Sequence, residues 1–183
     1  KIVVSTDCKN IAKISKKYGA EVPFLRSKKL SDDYTSSTDV IVDAIKKIAS
    51  FKENYHCCIY PTSVLTTIND LKKGYNKIRQ TNADCLIPVT DYNFSPYRSF
   101  EIKKKWLKYL YPQYMNRRSQ DLPKLYHVIG SFYFFKTSSL MKKNFSISKR
   151  TTFLKISRLR TIDINEYEDF EIAKMYFKNF KKK

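Results

Sequence analysis

Four short runs of apolar, mostly β-forming residues, at 1–5, 21–25, 56–60 and 83–89, alternate with three segments whose apolar residues recur every three or four positions. That alternation constrains the fold more than any other feature of the chain. Near-continuous apolar strands are buried on both faces, and a helix between each pair returns the chain so that neighbouring strands run parallel. The first run contains Ile2, Val3 and Val4. Ile11, Ile14 and Tyr18 then recur at helical spacing until Gly19, with Asp7 placed to cap the helix. Val40, Ile41, Ala44, Ile45 and Ile48 share one face of a helix over 36–51. A third helix, over 68–80, is capped near Thr67 or Asn69. This order predicts an α/β domain of three layers, α/β/α, with a mostly parallel sheet and helices on both faces.

Beyond residue 91 the pattern changes. Residues 92–125 are aromatic, basic and irregular, with Pro96, Pro112 and Pro123. They read as hairpin strands in an excursion over the site that reaches toward a second subunit. A strand over 127–136 follows, with Gly130 marking a bend or a close approach. A short helix over 137–142, a last strand or extended segment over 156–164 and a helix over 166–180 complete the chain. Phe170, Ala173 and Phe177 are expected to pack inward from that last helix, and the lysine tail to be solvated. Ligands of wound sheets sit beyond the carboxyl ends of the strands. Those ends are polar here: Ser5-Thr6-Asp7, Tyr60-Pro61-Thr62-Ser63 and Val89-Thr90-Asp91.

With 183 residues, 42% hydrophobic and 29% charged, the chain fits one globular domain over 1–183 with a real core. A net charge of +19 raises the possibility of a basic nucleic-acid-binding module. The cations are mostly lysines scattered along the chain, whereas nucleic-acid readers gather arginine and aromatic residues on one face. No specific nucleic-acid partner is therefore expected. No apolar run approaches the roughly 20 residues that span a bilayer, so no membrane partner is expected either. Cys8, Cys57, Cys58 and Cys85 form no C-x-x-C pair and read as buried free thiols of a cytoplasmic protein. The chain opens at Lys1 directly on an apolar strand, and a truncated N-terminus is expected.

Several stretches together resemble one family. Residues 3–33, VVSTDCKNIAKISKKYGAEVPFLRSKKLSDD, closely resemble the nonulosonic-acid cytidylyltransferases, which make CMP-sialic, CMP-legionaminic or CMP-pseudaminic acid. Tyr60-Pro61-Thr62-Ser63 resembles that family's Q-P-T-S strand end, with Tyr60 in place of Gln. Residues 117–123, RRSQDLP, resemble its R-x-Q-D-L-P loop, and 126–133, YHVIGSFY, the strand after it. Residues 162–170, IDINEYEDF, resemble its D-I-D-T-x-E-D segment. The wording leans toward the pseudaminic-acid branch.

The resemblance implies a nucleotide-diphospho-sugar transferase type of fold, and transfer of CMP from CTP to a nonulosonic acid with release of pyrophosphate. It implies Mg²⁺ as cofactor, held by Asp163 with Asn165, and a homodimer. Asp163 and Arg118 would be catalytic. Arg26, Ser37 and Thr62 would contact the nucleotide, and Gln120, Asp121 and Tyr133 the sugar acid. The sequence departs from the family in three places. The glycine-bearing loop that grips the CTP phosphates is expected upstream of Lys1, Asn165 replaces the second metal-pair Asp, and Val128 stands where an acid is usual in the pseudaminic branch. These departures leave an inactive or nucleotide-binding remnant as the alternative.

Overall fold

The computed structural model describes residues 1–49, 51–142 and 150–180. The lysine tail and residue 50 of the expected second helix lie outside the described residues. The chain divides into two compact units. The first comprises Lys1–Cys58, Ala83–Cys85 and Phe134–Thr151, the second Ile59–Asn82, Leu86–Tyr133 and Thr152–Lys183.

The helices are α1 (Lys9–Lys17), α2 (Ser37–Lys47), α3 (Ile68–Thr81), α4 (Thr137–Leu140) and α5 (Tyr167–Phe180). The strands are β1 (Tyr55–Ile59), β2 (Cys85–Asp91), β3 (Phe100–Lys103), β4 (Trp106–Tyr109), β5 (Tyr126–Val128), β6 (Phe132–Lys136) and β7 (Thr151–Lys155). Five strands form one sheet in the order β1-β6-β2-β5, with β7 also on β2, while β3 and β4 form a separate antiparallel hairpin.

The expected α/β class holds, but the sheet is mixed rather than mostly parallel. β5 runs antiparallel to β2, with Val89 opposite Val128 and Asp91 opposite Tyr126. β6 also runs against β1: Tyr60 N–H donates to Ser131 O and Thr137 N–H to Asn54 O. β7 follows β2, with Asp84 N–H bonded to Arg150 O at one end and Ile156 N–H to Val89 O at the other. The reversal occurs because the chain returns from the 92–125 excursion at the end of β2 where it left. Hydrophobic periodicity carries no strand direction, so it could not show this turn.

In the first unit, Val3 and Glu21 form an isolated parallel bridge in place of the two full strands expected at 1–5 and 21–25. Val4 N–H donates to Glu21 O and Glu21 N–H to Ile2 O, both at 2.9 Å. Asp7 does not cap α1. The cap position is Cys8, and its N–H is taken by the Thr6 hydroxyl at 3.1 Å. Ile11, Ile14 and Tyr18 define the apolar stripe read from sequence, yet all three are exposed and only Ala12 of α1 is buried. Of the four free thiols only Cys85 is fully buried, while Cys57 is exposed. Burial pushes the Cys85 thiol up to about 12.

In the second unit, α3 opens with a reciprocal cap. Asp70 N–H donates to the Thr67 hydroxyl, and Thr67 N–H to the Asp70 carboxylate. Such a box satisfies two otherwise orphaned groups of the first turn. Ile78, Leu86 and Phe132 are among the most buried side chains. The last strand is β7 at 151–155, and residues 156–164 are not the strand expected there. Ile156 is buried and bonded to Val89, after which Arg158–Arg160 turns as a 3-10 helix and ends the ladder. Among the described side chains of α5 only Ala173 packs fully inward, whereas Phe170 and Phe177 are partly exposed.

Candidate active site

Three segments of the second unit meet beyond β1. The chain leaves that strand through a tight turn in which Ser63 N–H donates to Tyr60 O at 3.0 Å and Val64 N–H to Thr62 O at 2.9 Å. Tyr60 N–H and the Ser63 hydroxyl both bond to Ser131 O, which ties this turn to the break between β5 and β6. The third segment is the stretch after the Arg158–Arg160 turn. Thr62, Ser63, Ile129, Ser131, Arg160 and Ile162 line one pocket between these segments. Thr62 is thus brought to the neighbourhood of Ile162-Asp163, and Tyr133 packs its ring on Tyr60 at 5.4 Å.

Gly130 lies in the β5–β6 break with φ +58°. A Cβ there would stand 3.0 Å from Asp163 Oδ1. The close approach expected at this glycine is therefore to the carboxylate expected to hold metal. Asp163 is exposed and makes no hydrogen bond or ion pair with the described residues. Among those residues there is no cluster of three or more His, Cys, Asp or Glu side chains able to enclose an ion. A single uncommitted carboxylate suits Mg²⁺, which keeps much of its shell as water and substrate phosphate. It does not suit a structural metal held by protein alone.

Asn165 stands at the entrance of α5. Its N–H and that of Glu166 both donate to the Asp169 carboxylate, at 3.0 and 2.9 Å. Those two backbone donors hold the Asp169 carboxyl below its ordinary value. The side chains of Arg118 and Asp121 pair with each other, Nε to Oδ2 at 2.7 Å and Nη2 to Oδ1 at 3.2 Å. Gln120 sits with them on the exposed turn Ser119–Asp121, anchored by the buried Leu122. His127 packs its ring against Tyr92.

Arg26 and Ser37 belong to the first unit. The parallel pairing of Val3 with Glu21 carries two chain segments forward in step, so Arg26 N–H reaches Thr6 O at 2.8 Å. The Arg26 guanidinium donates to the Ser31 hydroxyl at 2.9 Å and lies 3.6 Å from the Asp7 carboxylate. The expected capping role of Asp7 is thereby replaced by an ion pair. Ser37 is exposed in the first turn of α2, whose cap is Ser36. Thr90, at a third polar strand end, is fully buried and donates to Ile156 O at 2.9 Å; it is a structural residue.

Sequence reasoning missed Arg160. Its guanidinium grips the buried Asp70 through two hydrogen bonds and fixes the root of the Asp163 segment. Burial opposes the Asp70 charge, yet the bonds from Arg160 and Thr67 outweigh it and hold this carboxyl below its ordinary value. The partners are 90 residues apart, and no local pattern connects them.

Strand ends that converge on a free carboxylate fit a nucleotide-handling α/β enzyme, and a family model described as cytidylyltransferase matches residues 1–182. The chain belongs to the cytidylyltransferase family, a family of nucleotidyltransferases. It is 34% identical over 180 residues to a pseudaminic acid cytidylyltransferase of Campylobacter jejuni, covering 97% of this chain and 78% of that one. It is 29% identical over 186 residues to a CMP-N,N'-diacetyllegionaminic acid synthase of the same species, covering 94% and 74%. A solved structure of CMP:2-keto-3-deoxy-manno-octonic acid synthetase in complex with CTP superposes with a TM-score of 0.67 at 11% identity, over 100% of this chain and 82% of that one. That likeness gives the nucleotide-sugar transferase fold that the motifs implied.

Proposed function

We propose that this protein transfers CMP from CTP to a nonulosonic acid, pseudaminic acid in the first instance, for the synthesis of surface glycans. The meeting of the Tyr60–Ser63 turn, the β5–β6 break and Asp163 carries this reading. The higher identity to the pseudaminic relative, 34% against 29% for the legionaminic one, supports the choice of sugar. The family match over 1–182 supports one cytidylyltransferase-like domain spanning 1–183.

In the reaction the anomeric hydroxyl oxygen of the sugar acid attacks the α-phosphorus of CTP. The bond from that phosphorus to the bridging oxygen breaks, pyrophosphate leaves and the hydroxyl proton passes to solvent. Transfers of this kind depend on positioning and on offsetting phosphate charge. Asp163 is the carboxylate ligand for Mg²⁺, with the Asn165 amide as a neutral neighbour. The ion, when bound, neutralises phosphate charge and aligns the phosphate chain. Thr62 contacts the nucleotide in the second unit, and Arg26 and Ser37 are the nucleotide-contacting candidates of the first. Arg118 exchanges Asp121 for the substrate carboxylate, to which a planar guanidinium is matched, and Gln120, Asp121 and Tyr133 order the sugar. The hairpin β3–β4, with Ile102, Trp106 and Leu107 exposed, forms the contact of a homodimer.

No helix among the described residues is long and apolar enough to cross a membrane. Together with four free cysteines, this supports a cytoplasmic site of action. The test is release of pyrophosphate from CTP with pseudaminic, legionaminic and N-acetylneuraminic acids in turn. Release with the first above the other two is expected; none with any of them, from folded protein, would retire the proposal.

A further inference from the structure

We propose that Gly130 is a positioning residue: its bare Cα is the surface against which the Asp163 carboxylate rests, and a side chain there would push that carboxylate out of place. This rests on the reading of Asp163 as the ligand of the divalent ion. A Cβ at 130 would lie 3.0 Å from Oδ1, 3.4 Å from Cγ and 3.7 Å from Oδ2 of Asp163. The first distance is well inside van der Waals contact, so one of the two groups has to move.

The backbone at 130 cannot be the one that moves. Its neighbours Ile129 and Ser131 are 6% and 7% exposed. Ser131 O is held by both Tyr60 N–H and the Ser63 hydroxyl, and Ile129 N–H bonds Pro88 O. The other wall is fixed at its root, since Arg160 is locked to Asp70 and both the N–H and the hydroxyl of Thr161 donate to Arg158 O. The Asp163 side chain is the free member of the contact, with no hydrogen bond or ion pair among the described residues. It yields, and a ligand displaced by a few tenths of an ångström binds its ion less well. Groups that orient metal ligands typically change affinity by about 10- to 100-fold when altered.

The experiment measures Mn²⁺ binding to the full chain in the presence of CTP, by the paramagnetic resonance signal of the free ion. The chains compared are wild type, Gly130→Ala, Gly130→Asn, Asp163→Ala and the double variant Gly130→Ala/Asp163→Ala. Asparagine tolerates positive φ better than other side chains, so Gly130→Asn separates the added Cβ from backbone strain. Both Gly130 variants are expected to bind Mn²⁺ about tenfold more weakly or worse. The double variant is expected to match Asp163→Ala. Equal losses from Gly130→Ala with and without Asp163 would overturn the proposal, as would wild-type binding by both Gly130 variants. If both fail to fold, circular dichroism will show it, and the core rather than the carboxylate excludes the side chain, which also overturns it. Wild-type Mn²⁺ affinity in Asp163→Ala would instead sink the underlying metal assignment.

Discussion

Arg160 donates to both oxygens of Asp70, at 2.5 and 3.0 Å, while the same carboxylate closes the cap of α3. One buried charge thus anchors the start of a helix and the segment that carries Asp163. The Asp70 side chain is 6% exposed and that of Arg160 22%. Breaking a buried pair leaves an uncompensated charge, at a cost of about 3 kcal/mol or more. Asp70→Ala is expected to lose that amount and roughly 1 kcal/mol more with the cap. Arg160→Met is expected to lose somewhat less. Denaturant midpoints at constant slope would measure both, and a loss below about 1 kcal/mol for Asp70→Ala would contradict the assignment.

The same pair sets a pH dependence. The Asp70 carboxyl titrates below its ordinary 3.8 in the folded protein. A group lowered on folding adds stability above its unfolded value and loses it as pH falls through the folded one. The gap in melting temperature between wild type and Asp70→Asn is therefore expected to be full at pH 7 and to narrow below about pH 4. A constant gap down to pH 3 would show that Asp70 is not the titrating group. Asp32, Asp84, Asp91 and Asp169 are lowered too, so wild type and Asp70→Asn both keep an acid limb from these shared groups.

Asn165 gives a test that gains function. Restoring a second carboxylate with Asn165→Asp adds a charge to the ion's surroundings and is expected to lower the Mg²⁺ concentration needed for half-maximal rate, on the order of tenfold. Asp163→Ala removes the first carboxylate and is expected to cut kcat by about a hundredfold or more. Mg²⁺ titrations of pyrophosphate release read both. An Asn165→Asp chain with unchanged Mg²⁺ dependence would place residue 165 outside the ion's reach.

The hairpin predicts an assembly. Ile102 and Leu107, 74% and 65% exposed, stand opposite each other on one face of the two-stranded ribbon, while Trp106, 68% exposed, stands opposite Lys103 on the other. The mass in sedimentation is expected to rise with concentration. Leu107→Ser is expected to weaken association about thirtyfold, the equivalent of a 2 kcal/mol central contact. A wild-type chain that stays monomeric at high concentration would remove this surface from the dimer.

The parts legible in the sequence were those set by local physics. α3 and its Thr67 cap, the buried strand β2, the half-exposed edge strand β1, and the bend at Gly130 each follow from period, capping chemistry or the freedom of glycine. Asp7 shows where that reasoning stops. A carboxylate before a helix reads as a cap, but Arg26 competes for it across a strand pairing that sequence does not reveal. The stripe Ile11, Ile14 and Tyr18 gave the helix correctly without saying whether anything covers it. Ile156 and Ile162 suggest extension over 156–164, but β7 ends at Lys155, and the Arg158–Arg160 turn that interrupts the segment is stabilised from Asp70, far away in sequence.

Asp169 receives the main-chain donors of Asn165 and Glu166 from inside the first turn of α5. Residue 165 is thereby tethered to the terminal helix and inherits that helix's position. Damage to α5, however remote from any substrate, will be felt two residues from Asp163, and a change such as Asp169→Ala will read in kinetics as a defect of the reaction while its origin is the slackening of a helix end.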